Sequence, residues 1–259
     1  MDIETIVDTQ SYPLADPDFQ SSCHDTLNRA GVVVMRRFLK PEAIEAVRRE
    51  GEEWKHRAYY CRQEHNVYLT PPDADYPAEH TRNRIVVSSK GCITHDVIPA
   101  DSPLRALYDS EVFRTFLCRV LDEKSLYEYA DPLSSINLHY AETGQELGWH
   151  FDNSAFAVTL MIQKPDGGGT FEYIGGMRDA EMGEMNFDGV EKVLNGDTQP
   201  EKLNMDAGTL VLLRGRNAIH RVAPVEGSRT RMLVVLAYNT EPGISLSESA
   251  RMTFFGRLN

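Results

Sequence analysis

The sequence predicts a mainly β fold with flanking α-helices. Five short apolar segments, separated by turn signals, follow one another in the second half of the chain and read as strands. They cover residues 135–140, 157–162, 169–174, 209–213 and 231–238. Apolar residues recur at helical spacing over residues 102–129, which predicts two helices that cover a sheet. Many short strands in succession favour a sandwich or a jelly roll.

The other elements are predicted from local signals. Residues 31–35 are an apolar run typical of a buried strand. A helix is predicted to begin at Pro41, because proline is common in the first turn of a helix. Residues 58–100 show no clear periodicity and contain several aromatic residues and prolines, so we expect a long ordered loop, a kind of segment that is often functional. A polar insertion at residues 177–206 is expected to carry a short helix around residues 190–194.

The length of 259 residues and a hydrophobic content of 41% suffice for one sizeable core. We therefore expect a single domain over residues 1–259. Its helical and mixed part would span about residues 19–130, its strand-rich core about 131–243, and a C-terminal tail would follow at 244–259.

Charge and composition exclude several classes of partner. The formal net charge of −12, from 27 Lys and Arg against 39 Asp and Glu, provides no basic field for nucleic acid. No secretory signal is recognisable, and no apolar run is long enough to span a membrane. The four cysteines are far apart and form no CxxC pair, so we expect reduced thiols in a cytoplasmic protein without a membrane partner. The oligomeric state is not predicted.

Three residues have the chemistry and spacing of metal ligands. His150 and Asp152 lie two positions apart, so on an extended strand both side chains point to the same side. His220 follows seventy residues later, after another predicted strand. Two imidazoles and one carboxylate on one face of an ion leave its other positions open, which is the ligand set of non-haem iron(II) oxygenases. Zinc(II) accepts the same ligands, so a zinc hydrolase remains an alternative.

Arg231 opens the most apolar predicted strand. A buried arginine is costly unless it meets an anion, and its guanidinium group fits a carboxylate through two hydrogen bonds. The C5 carboxylate of 2-oxoglutarate would be such an anion. Arg229 is the rival, but it precedes the apolar run and is more easily solvated.

The order His150-x-Asp152, His220, Arg231 in a β-rich half resembles the iron(II) and 2-oxoglutarate dependent oxygenases, whose core is a double-stranded β-helix of the jelly-roll or cupin-like type. The resemblance implies iron(II), 2-oxoglutarate and O2 as cofactor and cosubstrates. Tyr140, in a Tyr-x-x-x-Gly stretch similar to that of prolyl-hydroxylase-like members, would line the cosubstrate pocket. His139 would then face away, because neighbours on a strand alternate.

Four segments, residues 130–133, 149–152, 168–173 and 220–225, resemble more closely the bacterial group that contains the free-amino-acid (lysine) halogenases and their hydroxylase relatives. Halogenases of this group have a small residue where this chain has Asp152, which leaves a position for chloride. The resemblance therefore implies hydroxylation of an unactivated C–H bond of a small substrate, a free amino acid. Halogenation, desaturation and cyclisation on the same scaffold are alternatives.

The substrate contacts are predicted from position. Arg82 and Arg84, in the segment 58–100, are candidates for the substrate carboxylate, with a structural ion pair as the ordinary explanation. Asn153 could contact a polar substrate group or cap the turn after the strand. No catalytic residue beyond the metal ligands is predicted. A non-catalytic jelly roll that binds a metabolite is the alternative outside enzymes.

Overall fold

The computed structural model describes residues 1–259 and shows two antiparallel sheets, of eleven and of two strands, with seven α-helices. The helices are α1 (Ile3–Ile6), α2 (Pro17–Ala30), α3 (Pro41–Trp54), α4 (Pro103–Asp109), α5 (Glu111–Leu121), α6 (Phe187–Asn195) and α7 (Glu248–Phe255). Short 3₁₀ turns lie at Lys55–Arg57 and His95–Val97. The predicted mainly β fold with flanking helices is confirmed.

The strands of the first half are β1 (Val32–Met35), β2 (Tyr59–Asn66), β3 (Ile85–Ile93), β4 (Ile136–Ala141), β5 (Leu147–His150) and β6 (Ala157–Gln163). They are followed by β7 (Gly167–Gly168), β8 (Phe171–Ile174), β9 (Glu201–Leu203), β10 (Leu210–Leu213), β11 (Ile219–Val222), β12 (Val225–Glu226) and β13 (Arg231–Leu236). All eleven strands of the large sheet pair antiparallel, in the order β1-β10-β6-β13-β4-β3-β5-β11-β8-β9, with β2 on the free side of β3.

The long strand β3 joins the two layers of this sheet. Its end pairs with β4, from Gly91↔Tyr140 to Ile93↔Leu138, and its middle contacts β5 through Ser88↔Leu147. The sheet thereby curls into a jelly roll, with β1, β10, β6, β13 and β4 in one layer and β5, β11, β8 and β9 in the other. The space between the layers holds both cavities that are described below.

Helices α1 to α5 cover the outer face of the larger layer. Helix α2 begins after the Asp16 side chain, which accepts hydrogen bonds from two amides of the first turn, and ends at Gly31 in the left-handed region. Ser110 caps α5 in the same way. The apolar faces of these helices pack against alternate residues of the sheet, such as Leu138 and Val234, to form the main core. The remaining side chains of these strands point to the opposite face, toward the interior of the jelly roll.

Two parts of the chain differ from the sequence prediction. Residues 58–100 are not one irregular loop, because β2 and β3 pair over their whole length from Tyr59↔Cys92 to Asn66↔Ile85. Their mixed composition gives no periodic apolar signal, because β2 is a partly exposed edge strand and most of β3, which pairs on both sides, is only half-buried. Residues 244–259 are not a free tail either. They contain α7, whose Phe255 is buried against β3.

We propose that residues 1–259 form one domain, because strands from both predicted parts share one sheet. None of the seven helices has the length and apolarity that crossing a bilayer requires.

Candidate metal centre

His150, Asp152 and His220 converge at one end of the jelly roll. His150 on β5 lies directly opposite His220 on β11, and their ring centroids are 4.2 Å apart. Asp152 Oδ1 lies 3.8 Å from His150 Nε2 and 3.5 Å from His220 Nε2. One donor atom from each of the three residues therefore falls within 4.8 Å of the other two, as a shared metal ion requires.

The hydrogen bonds of both imidazoles suit metal binding. His150 Nδ1 contacts the Gly148 carbonyl at 2.7 Å, and His220 Nδ1 contacts the Ala218 carbonyl at 2.9 Å. Since a carbonyl only accepts, each Nδ1 must carry the proton. The lone pairs of both Nε2 atoms are thereby directed toward Asp152. A hydrogen bond from Nδ1 to a carbonyl fixes the ring orientation of metal-binding histidines in this way. The residues present fit a divalent metal ion.

The charges of the three groups depend on one another. Burial acts to lower the pKa of His220, but the Asp152 carboxylate outweighs it and the net shift is upward. Burial, and then the neighbouring His220, lower the pKa of His150 to about 3, so its imidazole is neutral. Burial acts to raise the pKa of Asp152, but His220 and His150 outweigh it and the net shift is downward. The site thus offers an ionised carboxylate beside a neutral imidazole, the forms that bind a metal.

The backbone around Asp152 holds its carboxylate in place. The Asp152 amide donates to the Gly215 carbonyl over 3.0 Å, and the Phe151 amide donates to the Val67 carbonyl over 2.8 Å. Phe151 is fully buried and stacks on Tyr68 with centroids 5.5 Å apart. The segment that follows β5 is therefore anchored on both sides of the candidate ligand.

Arg231 lies inside the jelly roll and has no acidic partner. Its side chain is 4% exposed, Nε donates to the Gly169 carbonyl over 3.2 Å, and burial lowers its pKa to about 10. Arg229, the rival, is an exposed residue that pairs with Asp166 at 3.1 Å. A buried guanidinium without a carboxylate is a site for a ligand anion, which favours Arg231 over Arg229.

An inner cavity of about 60 Å³ contains Arg231 in its wall. The other residues around it are mostly apolar and come from both layers, including Leu213, Leu233 and Phe171, with Glu146 as an acidic member. The apolar walls exclude water and strengthen any ion pair that a ligand carboxylate makes with Arg231.

His139 lies in the wall of the inner cavity, which differs from the sequence interpretation, and Tyr140, although also among the residues around that cavity, directs its hydroxyl away from it. Tyr140 is fully buried on the outer face of β4, and its hydroxyl donates to the Gly51 carbonyl of α3 over 2.6 Å. His139 pairs with Leu233, and both side chains line the inner cavity. The register of β4 on β13 decides this, since it places Tyr140 beside Met232 in the helix-covered core.

The sequence analysis also missed Lys90. Its Nζ donates to the His139 ring, at 3.1 Å from Nε2, and lies 5.6 Å from the centre of the Phe254 ring. Burial, and then the positive charges of Lys90 and Arg231, hold the pKa of His139 well below its usual range. Lys90 lies in β3, within a segment whose sequence shows no clear periodicity, so its position beside the cavities could not be inferred from the sequence.

A second cavity of about 200 Å³ opens on the metal side. Its wall contains His150 and Asp152, and it shares Lys90 and Leu147 with the inner cavity. The remaining residues of the wall come from β2, β3, the loop after β2, and α7. They are Cys61, Gln63, His65, Leu69, Ser88 and Phe254. This cavity is the space in which a substrate can approach the metal.

Arg82 and Arg84 do not reach either cavity. Arg82 donates to the Pro71 carbonyl at 3.2 Å and lies 3.8 Å from Asp73, within its own loop. Arg84 donates to Asn195 at 2.6 Å, at the end of α6. Both guanidinium groups serve contacts within the chain. The geometry offers no support for their predicted role in substrate binding, which stays a prediction.

Asn153 is exposed and lines neither cavity. Its carbonyl accepts from Arg216 at 3.0 Å, and its side chain makes no hydrogen bond. The geometry offers no support for the predicted contact with substrate.

Comparison with known proteins gives the family. A family model described as Halogenase D matches residues 15–253, which include the three candidate ligands and every residue around the two cavities except Phe254. The chain belongs to the Halogenase D family. The resemblance to the group of amino-acid halogenases and their hydroxylase relatives is thereby confirmed. No curated protein matches the sequence.

Solved structures share the fold of this Halogenase D family member. A 2OG-Fe(II) oxygenase family oxidoreductase from Burkholderia pseudomallei is 13% identical, with a TM-score of 0.54 over 87% of this chain and 93% of its own. A prolyl-4-hydroxylase from Pseudomonas putida is also 13% identical, with a TM-score of 0.51 over 83% and 96%. The α-ketoglutarate dependent carbocyclase SnoK from nogalamycin biosynthesis is 12% identical, with a TM-score of 0.59 over 89% of both chains.

These likenesses confirm the double-stranded β-helix that the sequence resemblance implied. The fold, the family and the His-Asp-His triad agree with the predicted class of enzyme and with its cofactors, iron(II) and 2-oxoglutarate.

Proposed function

We propose that this protein is an iron(II) and 2-oxoglutarate dependent dioxygenase that hydroxylates an unactivated C–H bond of a small free amino acid. The observation that carries the proposal is the placement of two complementary groups around neighbouring cavities that share Lys90 and Leu147. His150, Asp152 and His220 converge at the metal side, and the unpaired Arg231 lies in the inner wall.

Each residue has a defined part in this function. His150, Asp152 and His220 hold iron(II), and Arg231 binds the C5 carboxylate of 2-oxoglutarate through its free N–H groups. Iron(II) with 2-oxoglutarate supplies the oxidation of C–H bonds by O2. The chain orients both ligands, and its apolar inner walls keep water from the reacting centre.

Asp152 favours hydroxylation over chlorination. Its carboxylate faces both imidazoles, so it occupies the position that the halogenases of the group leave for chloride. The family description nevertheless makes halogenation the second candidate. Product mass in the presence of chloride separates the two. We expect a gain of one oxygen, and a chlorinated product from the native chain would show that Asp152 is not a ligand. Loss of two hydrogens would indicate desaturation or cyclisation instead.

Anaerobic spectroscopy tests the metal and cosubstrate roles. Iron(II) and 2-oxoglutarate added to the protein should produce a weak visible charge-transfer band, and His220→Ala should abolish it. His56→Ala, at an exposed histidine outside the site, is the matched control and should keep the band. A band that survives His220→Ala would refute the ligand assignment. Absence of the band in the native protein, together with tightly bound zinc, would favour a zinc hydrolase.

Turnover tests the reaction. Incubation of the iron(II) enzyme with 2-oxoglutarate, O2 and a pool of free amino acids should release succinate and yield an amino acid that is heavier by one oxygen. No succinate with any amino acid would favour a non-catalytic binding protein or a different substrate class.

A further inference from the structure

The metal-side cavity contains one cation that the proposed function does not use. Lys90 lies at the junction of the two cavities and lines both. The lysines that form ion pairs in this chain are Lys55, Lys164 and Lys202, and Lys90 has no acidic partner. Its only hydrogen-bond partner is the neutral ring of His139. At least one N–H group of the ammonium remains for a ligand.

The charges of 2-oxoglutarate are already matched without Lys90. Its C5 carboxylate has Arg231, and its other carboxylate belongs to the metal that His150, Asp152 and His220 would hold. A buried ammonium without an anion carries a large desolvation cost. The Lys90 ammonium therefore requires a third carboxylate as its partner, and the substrate is the molecule that can provide this group.

The same cavity has no place for a cationic side chain. Asp152 is the only acidic residue in its wall, and its charge is used by the metal. Both ring nitrogens of His65 already have partners, since Nδ1 lies 2.9 Å from the Asn66 carbonyl and Nε2 lies 2.7 Å from the Ser88 hydroxyl. The rest of the wall is neutral. The α-ammonium of an amino acid arrives with its own carboxylate, whereas an additional side-chain ammonium brought here would be desolvated, would face Lys90 as a like charge and would find no counter-ion.

We infer that the substrate is a small carboxylate, such as an amino acid with an uncharged side chain, whose carboxylate binds Lys90, and that amino acids with cationic side chains are excluded. This inference rests on the proposed function and adds the charge class of its substrate. It also separates this chain from the lysine halogenases of the group that it resembles, because the walls provide no carboxylate for a side-chain ammonium.

The Phe254 ring supports this assignment from the opposite side. It belongs to α7, contacts the same cavity and lies over the Lys90 ammonium. Gln63 of β2 donates to the Thr253 carbonyl at 3.0 Å, which fixes α7 against the wall. An uncharged substrate side chain can pack on this ring.

Binding of L-norleucine and of L-lysine to the anaerobic iron(II) and 2-oxoglutarate complex tests the inference. The two differ only in the terminal ammonium of the side chain, and each is detected by the shift that it causes in the visible band. We expect L-norleucine to bind at least tenfold more tightly. Equal binding, tighter binding of lysine, or binding of neither would overturn the inference. Failure of the band itself, before any amino acid is added, would instead contradict the proposed function.

Substitution of Lys90 tests its role. Lys90→Met should weaken the binding of L-norleucine at least tenfold and keep the affinity for 2-oxoglutarate within about threefold of the native value. Lys90→Arg should restore part of the lost affinity for L-norleucine. Lys124→Met makes the same change at an exposed position and should alter neither affinity. If Lys90→Met weakens the binding of 2-oxoglutarate and leaves the binding of L-norleucine unchanged, Lys90 binds the cosubstrate and the inference is wrong. Removal of a buried ammonium should not lower the melting temperature, so loss of folding would also contradict it.

Discussion

The Asp152 carboxylate packs directly against the Cα of Gly215, whose carbonyl accepts the Asp152 amide at 3.0 Å. A Cβ on residue 215 would overlap the carboxylate. The turn between β10 and β11 therefore sets the position of a candidate ligand on another segment, and only glycine leaves room for it.

Gly215→Ala should weaken metal binding about 10- to 100-fold, the usual effect of moving a group that orients a ligand. Titration of iron(II) under anaerobic conditions measures the change. Gly175→Ala is the control, since a Cβ there meets only the Ala30 carbonyl at an ordinary 3.4 Å. Native affinity in Gly215→Ala would mean that Asp152 does not bind the metal from this position.

Arg231→Met should raise the dissociation constant for 2-oxoglutarate at least ~30-fold, corresponding to ~2 kcal/mol, because the ligand carboxylate would lose its buried partner. Arg229→Met changes an exposed arginine two residues away and should have little effect. Titration of the visible band with 2-oxoglutarate compares the two. Equal effects of both substitutions would remove Arg231 as the carboxylate site.

Tyr140→Phe should lower the free energy of unfolding by ~1–2 kcal/mol and leave the affinity for 2-oxoglutarate unchanged. Its hydroxyl bonds to the Gly51 carbonyl in the helix-covered core, and the substitution leaves that acceptor without its partner. Urea denaturation and 2-oxoglutarate titration provide the two measurements. A loss of cosubstrate affinity without a loss of stability would restore the role that the family resemblance gave to Tyr140.

His139 should make the protein less stable in acid. Its pKa lies well below 6.5 in the folded protein, because of burial and then of Lys90 and Arg231, so the folded state binds fewer protons than the unfolded state. The stabilisation is therefore present above pH ~6.5 and is lost as the pH falls below that value. Unfolding measured between pH 7.5 and pH 5 should show a smaller decrease in His139→Phe than in the native protein. An unchanged decrease would assign it to other groups.

Much of the fold could be predicted from patterns that local physics imposes. The strands that are buried on both faces, such as β6 and β13, are continuous apolar runs, and α5 has the spacing of an amphipathic helix. Strands β2 and β3 could not be found in this way. Both strands carry many polar residues, and most of those that line the metal-side cavity are polar, so no apolar period marks them.

The candidate ligands could be proposed from sequence because their chemistry is restrictive. Few combinations of side chains bind iron on one face, and the spacing of His150 and Asp152 places both on one side of an extended segment. Arg231 could be preferred over Arg229 since only one of them begins an apolar strand. Arg82 and Arg84 lie outside both cavities, which could not be foreseen because sequence position gives no information on which way a loop folds.

The sequence by itself determined the class of the fold, the composition of the metal site and the identity of the buried arginine, since each depends on residue chemistry and on short spacings. Only the tertiary structure decided which face of β4 lines the cavity, that Lys90 has no acidic partner, and that α7 forms part of the wall. Those facts depend on strand register and on contacts between distant segments. A shift of one residue in register exchanges the two faces of a strand, and no local signal in the chain records it.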